Sequence, residues 1–250
     1  MTESGKSSIS IITATYNAAA ILPNLIESLI AQTDQDFEWV VADGGSTDGT
    51  LEILEKAKSQ LKKVVVDSRL DLGIYDALNR AIKLSSSEYY AVFGSDDELF
   101  PRGIEHFKKN LKANSDFITF KYYSGNKIIG IRSPRWEFLF SQFAYITGHA
   151  VGLLIRKSLH DEVGYYSREF TIAADQFFII SAIRNGANVD EKNFVIGKFC
   201  DSGISNIDAA RSLTEFFRVN LRLGHNFYVQ LILLVLRLLK NKSKISKQKA

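Results

Sequence analysis

Four short apolar runs in the first hundred residues each end in a cluster of small, polar or acidic side chains. Ile9 to Thr15 leads into Tyr16 and Asn17, and Phe37 to Ala42 into Asp43-Gly-Gly-Ser-Thr-Asp-Gly49. Val64 to Val66 leads into Asp67–Asp71, and Tyr89 to Phe93 into Gly94-Ser-Asp-Asp97. These runs are β-rich and too short for helices. Between them apolar residues recur at helical spacing: Ile21, Leu22, Leu25, Ile26, Leu29 and Ile30; Leu51 to Leu61; and Ala77, Leu78, Ala81 and Ile82 within Leu72–Leu84. Pro23 fits only the first turn of its helix. Strands alternating with helices imply an α/β fold, a mainly parallel sheet flanked by helices. Ligands bind such sheets beyond the carboxyl ends of the strands. The four polar clusters are therefore expected to converge on one cleft.

The second half is less regular. Phe117–Tyr123 and Lys127–Ile131 read as a hairpin around Ser124-Gly-Asn126. Ala150–Ile155 and Asn193–Phe199 read as strands, Asp175–Arg184 as a helix, and Ile207 to about Lys240 as helical. One domain to residue 205 with a helical C-terminal extension is expected. At 250 residues the chain suits that plan. A net charge of +3 is too small to argue for a nucleic-acid partner, and none is expected. The single cysteine, Cys200, excludes an internal disulfide and a cysteine zinc cluster. The polar start, Met1 to Ser8, lacks an apolar secretory core, so a cytoplasmic location is expected.

Asp96 and Asp97 are adjacent carboxylates after a strand, and they repel each other unless a cation or hydrogen-bond donor balances them. A divalent ion, Mg2+ or Mn2+, bound by one or two carboxylates and substrate phosphates suits that charge. The plain alternative is a helix cap with acidic first-turn residues. Asp43-Gly-Gly-Ser-Thr-Asp-Gly49 is either a turn before a helix capped by Thr47 or Asp48, or a nucleotide pocket. In the pocket the glycines would let backbone approach a ring, and Asp43 would accept a base N–H. The Lys-Ser/Thr ending of a phosphate-binding P-loop is missing.

In this order the residues resemble glycosyltransferase family 2, with its GT-A fold. Ile11-Ile-Thr-Ala-Thr-Tyr-Asn17 is similar to the family's first strand, and Val40-Val-Ala-Asp-Gly-Gly-Ser-Thr-Asp-Gly49 to its Asp-rich signature. Asp71-Leu-Gly-Ile-Tyr-Asp-Ala-Leu-Asn79 resembles a segment of a bacterial cell-surface polysaccharide subgroup of the O-antigen, colanic acid and capsule type. Ser95-Asp96-Asp97 stands where the family has Asp-x-Asp, with Ser95 replacing the first acid. The resemblance covers about residues 8 to 205. It implies an inverting transferase that moves a hexose from a nucleotide-diphosphate sugar, UDP-linked for preference, onto a polyprenyl-diphosphate-linked glycan.

It also implies roles. Thr15, Tyr16 and Asp43 would form the base pocket, and Asp71 would face the donor. Asp97 would hold the metal, with Asp96 nearer the ribose or sugar. Asp175, in Ala173-Ala-Asp-Gln176, would be the catalytic base; a helix cap is the plain alternative. His149 would contact the diphosphate or the acceptor, or be structural. Arg69 would contact a phosphate, or be an ordinary surface arginine. Gly203 and Ser205 resemble an element that closes over the donor. The rival classes are a sugar-phosphate nucleotidyltransferase, a non-catalytic nucleotide-sugar binder and an interaction protein using the last helix. The first would need a glycine-rich basic loop after Thr15, which is missing.

Phe227 to Leu239 is apolar on nearly all faces, interrupted by Gln230 and Arg237. This run is too short to span a bilayer, which needs about 20 residues. With the lysines that follow, residues 224–250 read as a membrane-surface contact, the chain being peripheral on the inner face; the alternative is a helix packed on protein.

Overall fold

The computed structural model describes residues 9–112, 114–131, 136–200 and 208–247. Among these, nine strands form one sheet: β1 (Ile9–Thr15), β2 (Glu38–Asp43), β3 (Val64–Ser68), β4 (Tyr89–Val92), β5 (Glu98–Leu99), β6 (Phe117–Ser124), β7 (Lys127–Ile129), β8 (Leu153–Arg156) and β9 (Val189–Phe199). Their order is β3-β2-β1-β4-β8-β6-β9-β5, with β7 paired to β6. The first four are parallel; β8 runs against β4 and β6, and β9 parallel to β6.

The central strands bury both faces, so their residues divide by parity. Trp39 and Val41 enter one core while Val40 and Ala42 enter the other. Tyr89 and Ala91 divide from Tyr90 and Val92 in the same way. Helices α1 (Leu22–Ile30), α2 (Thr50–Lys58) and α4 (Gly103–Asn110) cover the first face. Helices α3 (Ile74–Leu84), α6 (Leu159–Val163) and α7 (Ala174–Arg184) cover the second. A short helix, α5, spans Glu137–Phe140.

The helical stretch expected from Ile207 to Lys240 is two helices, α8 (Ala209–Arg222) and α9 (Phe227–Lys240), followed by α10 (Lys242–Lys247). Gly224 at φ +80 ends the first, and the Asn226 side chain caps the second by accepting from Val229 N. Helix α9 is inverted relative to a usual surface helix. Gln230, Leu233, Leu234, Arg237 and Leu238 lie on its covered side, while Tyr228, Ile232, Val235, Leu236 and Leu239 are exposed. Gln230 Nε2 donates to Phe138 O (3.0 Å), and Arg237 donates to Leu139 O (2.7 Å) with its guanidinium over the Phe216 ring. The two residues that interrupt the apolar run thus face the protein, beside Leu233, Leu234 and Leu238. No described helix is long and apolar enough to cross a membrane.

Candidate active site

The parallel register places Thr15, Asp43 and Ser68 side by side at the carboxyl ends of β1, β2 and β3. Asp43 is fully buried. Its carboxylate accepts from Thr15 Oγ1 (3.0 Å), Gly45 N (2.9 Å), Ser46 N (2.9 Å), Ser68 Oγ (2.7 Å) and the Ser46 hydroxyl. Burial alone would raise its pKa. The hydrogen bonds from Ser46, Ser68 and Thr15 outweigh that and hold it below the usual range. Asp43 therefore organises the glycine turn, whatever else it touches. Asn17, at φ +48, closes the turn from β1: its N–H donates to Ser46 Oγ and its Oδ1 accepts from Thr47 N. Asp48 accepts from Ala19 N and from the Thr50 N–H and hydroxyl, but neither it nor Thr47 caps α2, because Gly49 occupies that position without a side-chain bond.

Above this turn side chains close on the glycines. A Cβ on Gly44 would stand 2.7 Å from Asp71 Oδ2 and 3.3 Å from Tyr16 Cδ2. Only glycine lets them come so near the backbone. Tyr16 is largely exposed, and the exposed Leu70 packs over Gly45. Together these set two apolar side chains and the Asp71 carboxylate against the glycine turn. Arg69 is mostly exposed, with Nε 3.2 Å from Asp67. Arg80, which sequence reasoning passed over, is the inner support: it pairs with Asp67 (2.7 Å), lies 3.7 Å from Asp71 and donates to Asp43 O (3.1 Å).

The acidic triplet follows β4. Asp96 Oδ1 and Asp97 Oδ2 both lie 3.0 Å from where a Cβ on Gly94 would be, so the two carboxylates converge over a glycine. Asp97 is buried and accepts from Gly94 N (2.7 Å) and Cys200 N (3.0 Å). Burial, helped by repulsion from Asp96, pushes its pKa up to about 7 against those two hydrogen bonds. Asp96 is the more open of the two. Among the described residues no third His, Cys, Asp or Glu joins them in a metal-sized group. Two convergent carboxylates fit a hard divalent ion that keeps water or substrate oxygens as its other ligands.

Asp175 is the second residue of α7 and is not its cap, because Ala173 occupies that position. Glu215 of α8 holds the loop that leads into α7, accepting from the N–H groups of Thr171, Ile172 and Ala173 and from the Thr171 hydroxyl. The Asp175 oxygens are left to the site. Tyr75 OH lies 2.6 Å from Oδ1, and Gln142 Nε2 donates to Oδ2 (3.1 Å). His149 Nδ1 stands 4.0 Å from Oδ2. Tyr75 belongs to the segment that also carries Asp71, so one stretch of chain ties Asp71 to the Asp175 carboxylate. Sequence reasoning missed Gln142 and Glu215 because their partners lie 33 and 42–44 residues away, and no local pattern marks them. Gly203 and Ser205 lie outside the described residues.

A model of the family described as Glycosyl transferase family 2 matches residues 10–175, which include every candidate residue above from Thr15 to Asp175. The chain belongs to this family.

Relatives of this glycosyltransferase agree. It is 28% identical over 229 residues to a PGL/p-HBAD biosynthesis glycosyltransferase of Mycobacterium bovis, covering 89% of each chain. Over 115 residues, 44% of this chain and 17% of the other, it is 35% identical to a chondroitin synthase of Escherichia coli. Its fold is GT-A. It superimposes on S. aureus TarS 1-349 in complex with UDP-GlcNAc with a TM-score of 0.68 at 21% identity, covering 94% of this chain and 73% of that one. The match to the mannosyltransferase PcManGT from Pyrobaculum calidifontis, in complex with GDP-Man and Mn2+, has a TM-score of 0.67 at 17% identity, covering 96% and 76%.

Proposed function

We propose that this glycosyltransferase transfers a hexose from a nucleoside-diphosphate sugar, UDP-linked for preference, with inversion at the anomeric carbon. The observation that carries this reading is the link through Tyr75. It ties the Asp175 carboxylate to the segment whose Asp71 lies against Gly44. The base of the nucleotide would lie on Gly44 and Gly45 between Tyr16 and Leu70, with Thr15 and Asp43 holding the turn beneath it. An N–H of the base would meet Asp43 only by displacing one of its present donors, whereas Asp71 Oδ2 lies beside Gly44. Arg69, on the exposed rim, would contact a phosphate.

Asp97, with Asp96 beside it, would hold Mn2+ or Mg2+, which when bound supplies positive charge to the departing diphosphate. Asp175 takes the proton of the acceptor hydroxyl as that oxygen bonds to the anomeric carbon. The anomeric C–O bond to the diphosphate breaks with its electron pair leaving on phosphate. A single displacement needs no protein nucleophile. TarS in complex with UDP-GlcNAc and PcManGT in complex with GDP-Man and Mn2+ support a nucleotide-sugar donor and a divalent ion. The acceptor we infer is a glycan on a polyprenyl diphosphate. The exposed apolar face of α9, followed by lysines, would rest on an anionic membrane surface and bring the site to such an acceptor.

Nucleotide sugars screened with Mn2+ and with Mg2+ for stabilisation and hydrolysis test the donor reading. It fails if none acts with either ion. Asp175→Asn should lower transfer by about a hundred- to ten-thousandfold with donor binding intact; an unchanged rate removes Asp175 as the base.

A further inference from the structure

Behind Asp175 a line of hydrogen bonds runs into the core between the sheet and α7. His149 Nε2 is 2.6 Å from Tyr166 OH, Tyr166 OH is 2.9 Å from Tyr90 OH, and Tyr90 OH is 2.7 Å from His160 Nε2. At the far end His160 Nδ1 is 3.1 Å from Gly164 O. Tyr90 and Tyr166 are buried, and His160 is enclosed by Tyr165, Tyr166 and Phe178. Asn79 fixes Tyr166 in place, donating to Tyr166 O (2.9 Å) and accepting from Tyr166 N (3.0 Å).

The terminal carbonyl gives this line a direction. A carbonyl only accepts, so His160 Nδ1 carries the proton. Burial lowers the His160 pKa to about 4, which keeps the ring neutral and its Nε2 bare. Tyr90 must then donate to His160, which leaves its oxygen to accept from Tyr166. Tyr166 has spent its one proton, so its oxygen accepts from His149 Nε2–H. His149, whose pKa burial also lowers against the raising effect of Asp175, is neutral with its proton on Nε2. Its bare Nδ1 then faces Asp175 Oδ2 across 4.0 Å. Gln142 Nε2 already donates to Oδ2, and a hydroxyl brought between Nδ1 and Oδ2 would meet two acceptors.

We infer that the chain Gly164–His160–Tyr90–Tyr166 locks His149 as its Nε2–H tautomer, so that Nδ1 and Asp175 Oδ2 form a paired acceptor for the attacking hydroxyl. The inference rests on Asp175 being the base. The hydroxyl proton passes to Asp175 Oδ2, and the carboxylic O–H so formed turns to Nδ1 as its acceptor. Tyr90, Tyr166 and His160 are positioning residues that act through His149.

Nitrogen-15 NMR of histidine-labelled protein, without substrate, reads the tautomer directly. The chain has four histidines, and His149→Gln identifies the signal that belongs to this one. The wild type should show neutral His149 protonated on Nε2. Tyr90→Phe removes the acceptor for Tyr166, whose proton then turns towards His149 and moves the imidazole proton to Nδ1. Tyr166→Phe frees the ring to mix both forms. Each variant should lower kcat on the order of tenfold, the worth of one hydrogen bond, while donor KM and the unfolding temperature with donor bound stay close to wild type. Wild-type His149 carrying its proton on Nδ1, or on both nitrogens, overturns the inference. So does Tyr90→Phe with an altered tautomer and an unaltered kcat. Asp175→Asn reads the base itself, so failure of the base and failure of the lock give different results.

Discussion

Asp43, at the end of β2, and Asp97, in the loop after β4, are both buried carboxylates on the same edge of the parallel strands, and they carry their charge on opposite terms. Asp43 has five donors around it and a pKa held below the usual range. Asp97 has two backbone N–H groups, a second acid beside it and a pKa raised to about 7. One charge is solvated by the fold and the other is left for something to be added. A buried charge short of partners costs stability unless it serves a site. The contrast separates an acid that organises the glycine turn from one that would hold a cation under the proposed function.

Exchanging each acid for its amide should give the largest separation. Asp97→Asn should lower transfer on the order of a thousandfold while leaving the unfolding temperature in chelator unchanged or higher. Asp43→Asn should destabilise the protein by about 2 kcal/mol, because an amide NH2 then faces hydroxyl and N–H donors. Equal losses of stability in the two variants would break the comparison.

The two acids should also tilt stability with pH in opposite directions. Asp97 binds its proton more tightly folded than unfolded. Its contribution is present below its ordinary pKa of 3.8 and is lost as pH rises towards about 7, at up to about 1.4 kcal/mol per unit. Asp43 has a lowered folded pKa. Its contribution is present above the ordinary value and is lost as pH falls through the folded one. Denaturant unfolding in chelator from pH 4 to 8 should show wild type losing stability relative to Asp97→Asn as pH rises. Added Mn2+ should remove that difference.

Much of this was readable in the residues. The strand-end clusters were brought to one edge of the sheet because β1 to β4 run parallel and expose the same end. Asp43, Asp71 and Asp175 sit in segments whose spacing could be read locally. The supports could not. Arg80 reads as one more helical arginine, and Glu215 reads as a surface acid until α8 is folded against the loop before α7. Helix α9 shows the same limit. An all-apolar run does not say which side turns inward, and here Gln230 and Arg237 do, because the carbonyls of Phe138 and Leu139 at α5 accept from them.

Smaller effects sharpen the contrast. Gly44→Ala would drive a methyl against the Asp71 carboxylate and Tyr16 without touching Asp97. Donor KM should rise about tenfold, near 1.4 kcal/mol, while the stability response to Mn2+ stays unaltered. A matched loss of that response would mean the two regions are not separable. Smallest of all, Ile232→Ser with Leu236→Ser on the exposed face of α9 should change stability by less than about 0.5 kcal/mol and leave transfer to a water-soluble acceptor intact. Co-sedimentation with anionic vesicles should fall. Unchanged sedimentation would remove the membrane reading of that face.

The bond from Cys200 N to Asp97 joins residues 103 positions apart. On a ribosome the acid is therefore made long before the amide that helps hold it. The turn around Asp43 draws on segments that emerge within a few dozen residues of one another. The setting of Asp97 must wait for the end of β9. A nascent or truncated chain ending before residue 200 would lack one of the two N–H donors described for Asp97.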